Sequence, residues 1–283
     1  MKISRLYNIP YQALDFVNIS IVKDNLLFID PLKIKRSGTE MGRICYKKIE
    51  EFIDNLLQLA KERKYTELLK IVDNLYERNE TRLGYSITSS FGKSFGANGG
   101  KYLVQALTNN DMIMSGKVED IFDCMMVLPN IAEDKVSDLI TSIIFMDLIK
   151  YTQEQCKLWN IPTKRIELKK LCWDHKKSEW VHITKKLPVY NGEPIVFVPK
   201  KFAGKSFTFS HKRLYRDAII PIYKDREKKI RGSKYIVKYK NGRKHVLGNE
   251  LRKDYPCTKY VIMEFIEQYE EIYRKYKNKI VGE

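Results

Sequence analysis

The sequence predicts a mixed α+β protein, mainly helical in its N-terminal half and strand-rich and basic in its C-terminal half. Three observations carry that expectation. Apolar residues recur at helical spacing through residues 46–79 and 117–158. From residue 161 onward, short β-branched and aromatic runs alternate with turn residues. Positive charge is confined to the same later region: residues 1–159 hold 21 Lys+Arg and 21 Asp+Glu, residues 160–260 hold 27 against 9, and residues 261–283 hold 4 against 5. Charge and texture both shift near residues 160–163. The expected organisation is a helical, charge-balanced domain (1–159) followed by a basic, strand-rich segment with a closing helix (160–283), with one continuous domain as the alternative.

The elements follow in order. FVNISIV and NLLFIDPL, within residues 16–32, read as strands around a tight turn at 23–25, closed by Pro31. Residues 46–63 place Ile49, Phe52, Ile53, Leu56 and Leu57 on one helical face, and residues 65–79 repeat the pattern, predicting a helical hairpin. Helices are expected at 101–109, 117–127 and 135–158, the last apolar around most of its circumference. RIELKKLCW, EWVHITKK and PIVFVPK read as strands. Residues 206–231 read as a helix interrupted at Pro221. KYIVKY and RKHVL read as a hairpin, with Asn241-Gly242 suiting a type I′ turn, and a helix over 258–277 closes the chain.

A chain of 283 residues with 43% hydrophobic and 12% aromatic content can bury a proper core. It has no apolar run of about 18 residues, so no membrane span is expected. The N-terminus lacks the apolar core of a signal peptide, and five scattered cysteines without a CxxC pair suit reduced thiols, so the expected location is the cytoplasm. A local excess of positive charge is the usual electrostatic footprint of nucleic-acid binding.

Several patterns bear on chemistry. The glycine-rich stretch 84–101 contains Gly92-Lys93-Ser94, but a phosphate-binding P-loop would need glycine at the position of Ile87, which leaves a looser anion nest or a surface loop. Asp134 and Asp138 are four apart. On a helix they would share a face and suit a divalent cation, or else Asp134 caps a helix starting at 135 and Asp138 complements its dipole. Asp30 is a further acid at a strand end. Glu167-Leu168-Lys169 places an acid and a lysine on one face of a strand. Cys172, His175 and His182, with Cys156, are a possible zinc set or the framework of a hairpin around Trp173 and Trp180.

Basic residues interleave with aromatic ones at Lys200-Lys201-Phe202, Lys205-Ser206-Phe207, Phe209 and Lys212-Arg213-Leu214-Tyr215-Arg216, and Lys228, Lys229 and Arg231 follow. The expectation is that cations pair with phosphate and rings can stack on unpaired bases, while some of the rings belong to the core and half the lysines are only solvated surface.

The Glu167-x-Lys169 pattern resembles that of PD-(D/E)XK nucleases. The resemblance implies that Glu167, with Asp134 and Asp138, holds Mg²⁺ while Lys169 orients the attacking water. Leu27-Phe28-Ile29-Asp30-Pro31, residues 133–139, residues 194–200 and the hairpin KNGRKHVL together resemble bacterial hypothetical proteins associated with phage defence and mobile elements. That resemblance implies an intracellular effector, either a Mg²⁺-dependent nuclease or a non-catalytic nucleic-acid-binding subunit or adaptor for a partner enzyme such as an ATPase.

Overall fold

A computed structural model describes residues 1–23, 25–84 and 99–282. It is a mixed α+β structure, with helices concentrated in the N-terminal half and small antiparallel strand pairs. The chain forms two units: Met1–Ile121 with Asn130–Thr208, and Phe122–Pro129 with Phe209–Glu283. The shift in charge near residue 160 therefore falls inside the first unit. Strands of two to four residues are marginal by themselves. Of those that follow residue 160, Cys172–Asp174 and Thr184–Leu187 pack on the helix Phe145–Leu158 within the same unit.

In the first unit, the helix Glu40–Lys61 begins six residues before the apolar pattern does, because Thr39 caps it by accepting from the Gly42 N–H. The helix Tyr65–Val72 completes the expected helical hairpin but stops well short of residue 79. The long helix expected over 135–158 is two helices, Glu133–Ile143 and Phe145–Leu158, broken at Ile144. Ile143, Ile144 and Phe145 are all fully buried, so the break sits in the core, where apolar periodicity continues straight through it.

Between residues 164 and 194 strand pairing is local. Lys164–Glu167 pairs with Thr184–Leu187, and Cys172–Asp174 pairs with Glu179–Val181. The second pair sets Trp173 opposite Trp180, with ring centroids 5.3 Å apart. Trp173 also meets Phe52 edge-on, and the Trp180 indole N–H donates to the Ile71 carbonyl at 2.9 Å. This is the hairpin framework, and it does not gather the zinc set: His175 bonds the Ile143 carbonyl through Nε2 while His182 is exposed.

Two apolar runs expected as strands differ from that expectation. Of residues 16–32 only Phe28–Ile29 is a strand, paired with Ala203–Gly204, and the turn at 23–25 includes Asp24, which lies outside the described residues. Residues 195–198 are buried but join no sheet. Their backbone is satisfied piecemeal: Ile195 donates to Pro188, Val196 to Glu80 and Phe197 to the Thr152 hydroxyl, while the Val198 carbonyl accepts from Val17. Phe197 stacks on Phe16 at 4.2 Å. Burial and β-branching look the same in such a segment as in a strand; only the bonding differs.

In the second unit, the helix His211–Leu214 continues through one π turn, Tyr215–Ile219, into Ile220–Lys229. Pro221 does not interrupt it: it stands in the first turn of Ile220–Lys229, directly after the widened turn. The closing helix is split at Tyr269 into Lys259–Gln268 and Glu270–Val281. Residues 122–129 join this unit through Asp123. That buried carboxylate accepts from the Tyr273 hydroxyl at 2.6 Å and pairs with the buried Lys277 ammonium at 2.7 Å. Asp123→Ala would leave Lys277 buried without its counter-charge, at a cost of about 3–5 kcal/mol. Urea unfolding of the full chain measures this, and a loss below about 1 kcal/mol would show that the pair does not hold the unit together.

Candidate nucleic-acid interface

The basic second unit carries 20 Lys+Arg against 11 Asp+Glu. Its exposed hairpin pairs Ile236–Lys238 with Lys244–Val246. The turn is not type I′. Gly242 donates to the Tyr239 carbonyl and Tyr239 to the Arg243 carbonyl, both at 2.9 Å, and Gly242 takes the left-handed conformation at φ 78° while Asn241 does not. This is a three-residue connection, a type I turn closed by a glycine bulge, with the Asn241 side chain accepting from the Arg243 N–H.

That register sets Lys238 directly across from Lys244. Like charges directly opposite destabilise an antiparallel pair. Lys244 relieves part of this by reaching the Lys228 carbonyl at 3.1 Å, which brings the hairpin beside the end of the helix Ile220–Lys229. Lys228, Lys229 and Arg231 are exposed there, and Lys238, Lys240 and Arg243 are exposed on the hairpin. Among the described residues, Lys229, Arg231, Lys238, Lys240 and Arg243 make no ion pair, whereas Lys228 pairs with Asp225. Tyr239, 53% exposed, stands between Lys238 and Lys240.

The other predicted cations have varied surroundings. Lys212 and Arg213 are exposed, and Arg216 is held by Asp217. Lys205 is exposed in the first unit, Lys201 donates to the Ser37 carbonyl, and Lys200 lies over the Tyr11 ring at 4.9 Å. The interleaved rings do not form a stacking platform. Phe202, Phe207, Phe209 and Tyr215 are buried core residues, so the expectation that they meet bases is corrected. On the hairpin, the exposed ring is Tyr239. Its signal in the sequence was the alternation Lys238-Tyr239-Lys240 ahead of the turn.

The acidic set is not assembled as the sequence suggested. The helix begins at Glu133, with Ala132 as its N-cap, so Asp134 is an exposed first-turn residue and not the cap. Asp138 is half-buried one turn later. Glu167 is exposed at the last position of its strand, opposite Thr184. Lys169 lies beyond the strand end and pairs with Glu193 at 3.0 Å, so Glu167 and Lys169 do not share a strand face. Leu168 is buried and its N–H still bonds the Ile183 carbonyl, and the bend follows at Lys169-Lys170. Asp30 is fully committed: one carboxylate oxygen caps Leu32, and the other accepts from both the N–H and the hydroxyl of Thr208 at 2.8 Å. Among the described residues, no three His, Cys, Asp or Glu side chains are grouped to hold a metal ion. The glycine-rich stretch around Gly92-Lys93-Ser94 lies outside the described residues.

Residues 8–210 match the model of a family described as a domain of unknown function (DUF8370), and the chain belongs to that family. No curated protein and no solved structure matches the chain. The family match ends where the main run of the second unit begins, at Phe209. No helix among the described residues is long and apolar enough to cross a membrane.

The second unit also holds a histidine that reports on its charge. His211 is lowered to about 4, first by burial and then by the charges of Lys259 and Lys212. Its folded value lies below the unfolded value of 6.5, so between the two the unfolded chain binds the extra proton. Stability is therefore expected to rise as pH rises from about 4 to 6.5, and His211→Gln should flatten that part of the profile. Denaturant midpoints measured across this range test it; an unchanged slope in the variant would assign the dependence to other groups.

Proposed function

We propose that this member of the DUF8370 family is a nucleic-acid-binding effector of a bacterial defence-type system, with the hairpin of its second unit as the main contact. The observation that carries the reading is the like-charged pair Lys238 and Lys244, set face to face on an exposed hairpin whose tip cations make no ion pair among the described residues. A fold that keeps an unfavourable local arrangement does so where function requires it. A phosphate backbone relieves the repulsion and releases counterions as it binds. Tyr239 adds an exposed ring for an unpaired base, which favours single strands over duplex. The defence setting is supported by the resemblance of the sequence patterns.

The test is fluorescence anisotropy with single-stranded DNA, duplex DNA and RNA across a salt titration. Binding is expected to weaken steeply with salt. The triple variant K238A/K240A/R243A should lower the slope of log affinity against log salt by about 2 to 3, since each phosphate left without its cation removes about 0.7–0.9. Tyr239→Ala should weaken single-strand binding by about 1–3 kcal/mol and leave duplex binding nearly unchanged. Affinity indifferent to salt, or a triple variant that binds as the parent does, would sink the proposal.

A further inference from the structure

The hairpin of the second unit has two faces, and the pleat decides which residue lies on which. Ile236 and Val246 are direct partners. Val246 is buried and Ile236 half-buried, so their face is the inner one, where Lys244–Val246 packs on the helix Ile220–Lys229. Lys238 and Lys244 continue that inner face toward the turn, and Lys244 ends on the Lys228 carbonyl. The outer face holds Val237 across from His245. One step nearer the turn it holds Tyr239 across from Arg243, whose carbonyl accepts the Tyr239 N–H. All four outer residues are exposed.

A solvated sheet face is ordinarily polar, yet this one carries a valine, a phenol ring, an imidazole and a guanidinium. Tyr239 and His245 are diagonal neighbours across the two strands, a relation in which long and aromatic side chains still meet. Their ring centroids lie 6.1 Å apart, with the planes inclined at 52°. The two rings therefore lean on each other without stacking, and each keeps a face that the other does not cover. From Lys228 to Asn249 the chain has eight Lys and Arg and no Asp or Glu, so the pair sits where a polyanion is drawn in.

We propose that Tyr239 and His245 form a platform for two successive unpaired bases of one nucleic-acid strand, with Arg243 on the phosphate that joins them. This rests on the hairpin reading above and adds to it the second ring, the adjacency of the two bases and the face on which the strand lies. Every base has a π face, so stacking on such rings is tolerant of sequence and contributes about five- to 150-fold in affinity per base. A duplex keeps its bases stacked on one another and offers this face only its backbone. The platform thus selects single strands for a reason separate from charge. Arg243 shares the outer face with both rings, whereas Lys238 and Lys244 lie on the inner one, so Arg243 is the cation placed to meet a phosphate between the held bases.

The test uses the full chain and labelled abasic strands of constant length, in DNA and RNA form, carrying no base, one base, two adjacent bases or two bases set far apart. Affinity is read by fluorescence anisotropy. The first base should raise it at least about fivefold, and a second base beside the first at least about fivefold again. A second base far from the first cannot reach the other ring and should not reproduce that gain. His245→Ala should abolish the gain from the adjacent base and keep the gain from the first. His245→Phe should restore it, because only a ring face is required. Circular dichroism checks that the variants fold, and the parent's own series of strands decides if one does not. The proposal is overturned if adjacent and distant bases act alike on the parent, if folded His245→Ala responds as the parent does, or if folded His245→Phe responds as His245→Ala does. Any of these with a steep salt dependence intact removes the platform alone, whereas salt-indifferent binding removes the hairpin reading and the platform with it.

Discussion

A guanidinium with 1% exposure needs acceptors, and meeting that need organises the first unit. Arg78 finds one acceptor in the Leu171 carbonyl and a ring face in Phe145. Those two contacts tie the segment after the helix Tyr65–Val72 to the bend that ends a strand and to the first residue of the helix Phe145–Leu158. The break at Ile144 lies at the same place, with Phe145 at the start of the new helix and under Arg78. Burial of one cation thus links three stretches far apart in sequence, at a cost that the fold leaves only partly offset.

The consequences are visible in how neighbouring residues part company. Lys169 and Lys170 are adjacent, yet Lys169 turns out to Glu193 while Lys170 turns in to the Glu77 carbonyl. The reading of Glu167-x-Lys169 as a unit assumed a strand that continued past Leu168. No turn residue in Glu167-Leu168-Lys169-Lys170 announces the bend, so the parting of the two lysines was not legible in the sequence. The mixed fold class and the Trp173–Trp180 hairpin were legible from patterns that repeat within a few residues. The buried segment 195–198 was not legible as what it is, because its bonds go one by one to Pro188, Glu80, Thr152 and Val17.

The second unit shows a different compromise. The core takes its aromatic residues from the same stretches that carry the charge, so Phe209 and Tyr215 are buried while Lys212, Arg213 and Arg216 stay outside. Burial and charge are thereby sorted residue by residue along one helix. On the hairpin, where two strands present side chains on both faces with little beneath them, the ring of Tyr239 remains exposed among cations.

The second unit is also discontinuous in sequence. Residues 122–129 leave the first unit, join the second, and return before the helix Glu133–Ile143 begins. A fragment cut at 209 would retain Lys277 and Tyr273 but lack Asp123, and a fragment ending at 208 would carry an apolar run, Phe122–Pro129, with nothing of its own unit to cover it. During synthesis that run emerges some 80 residues before the chain that will bury it. The nascent protein must keep Phe122, Met125 and Met126 from premature association until the C-terminal helices are made.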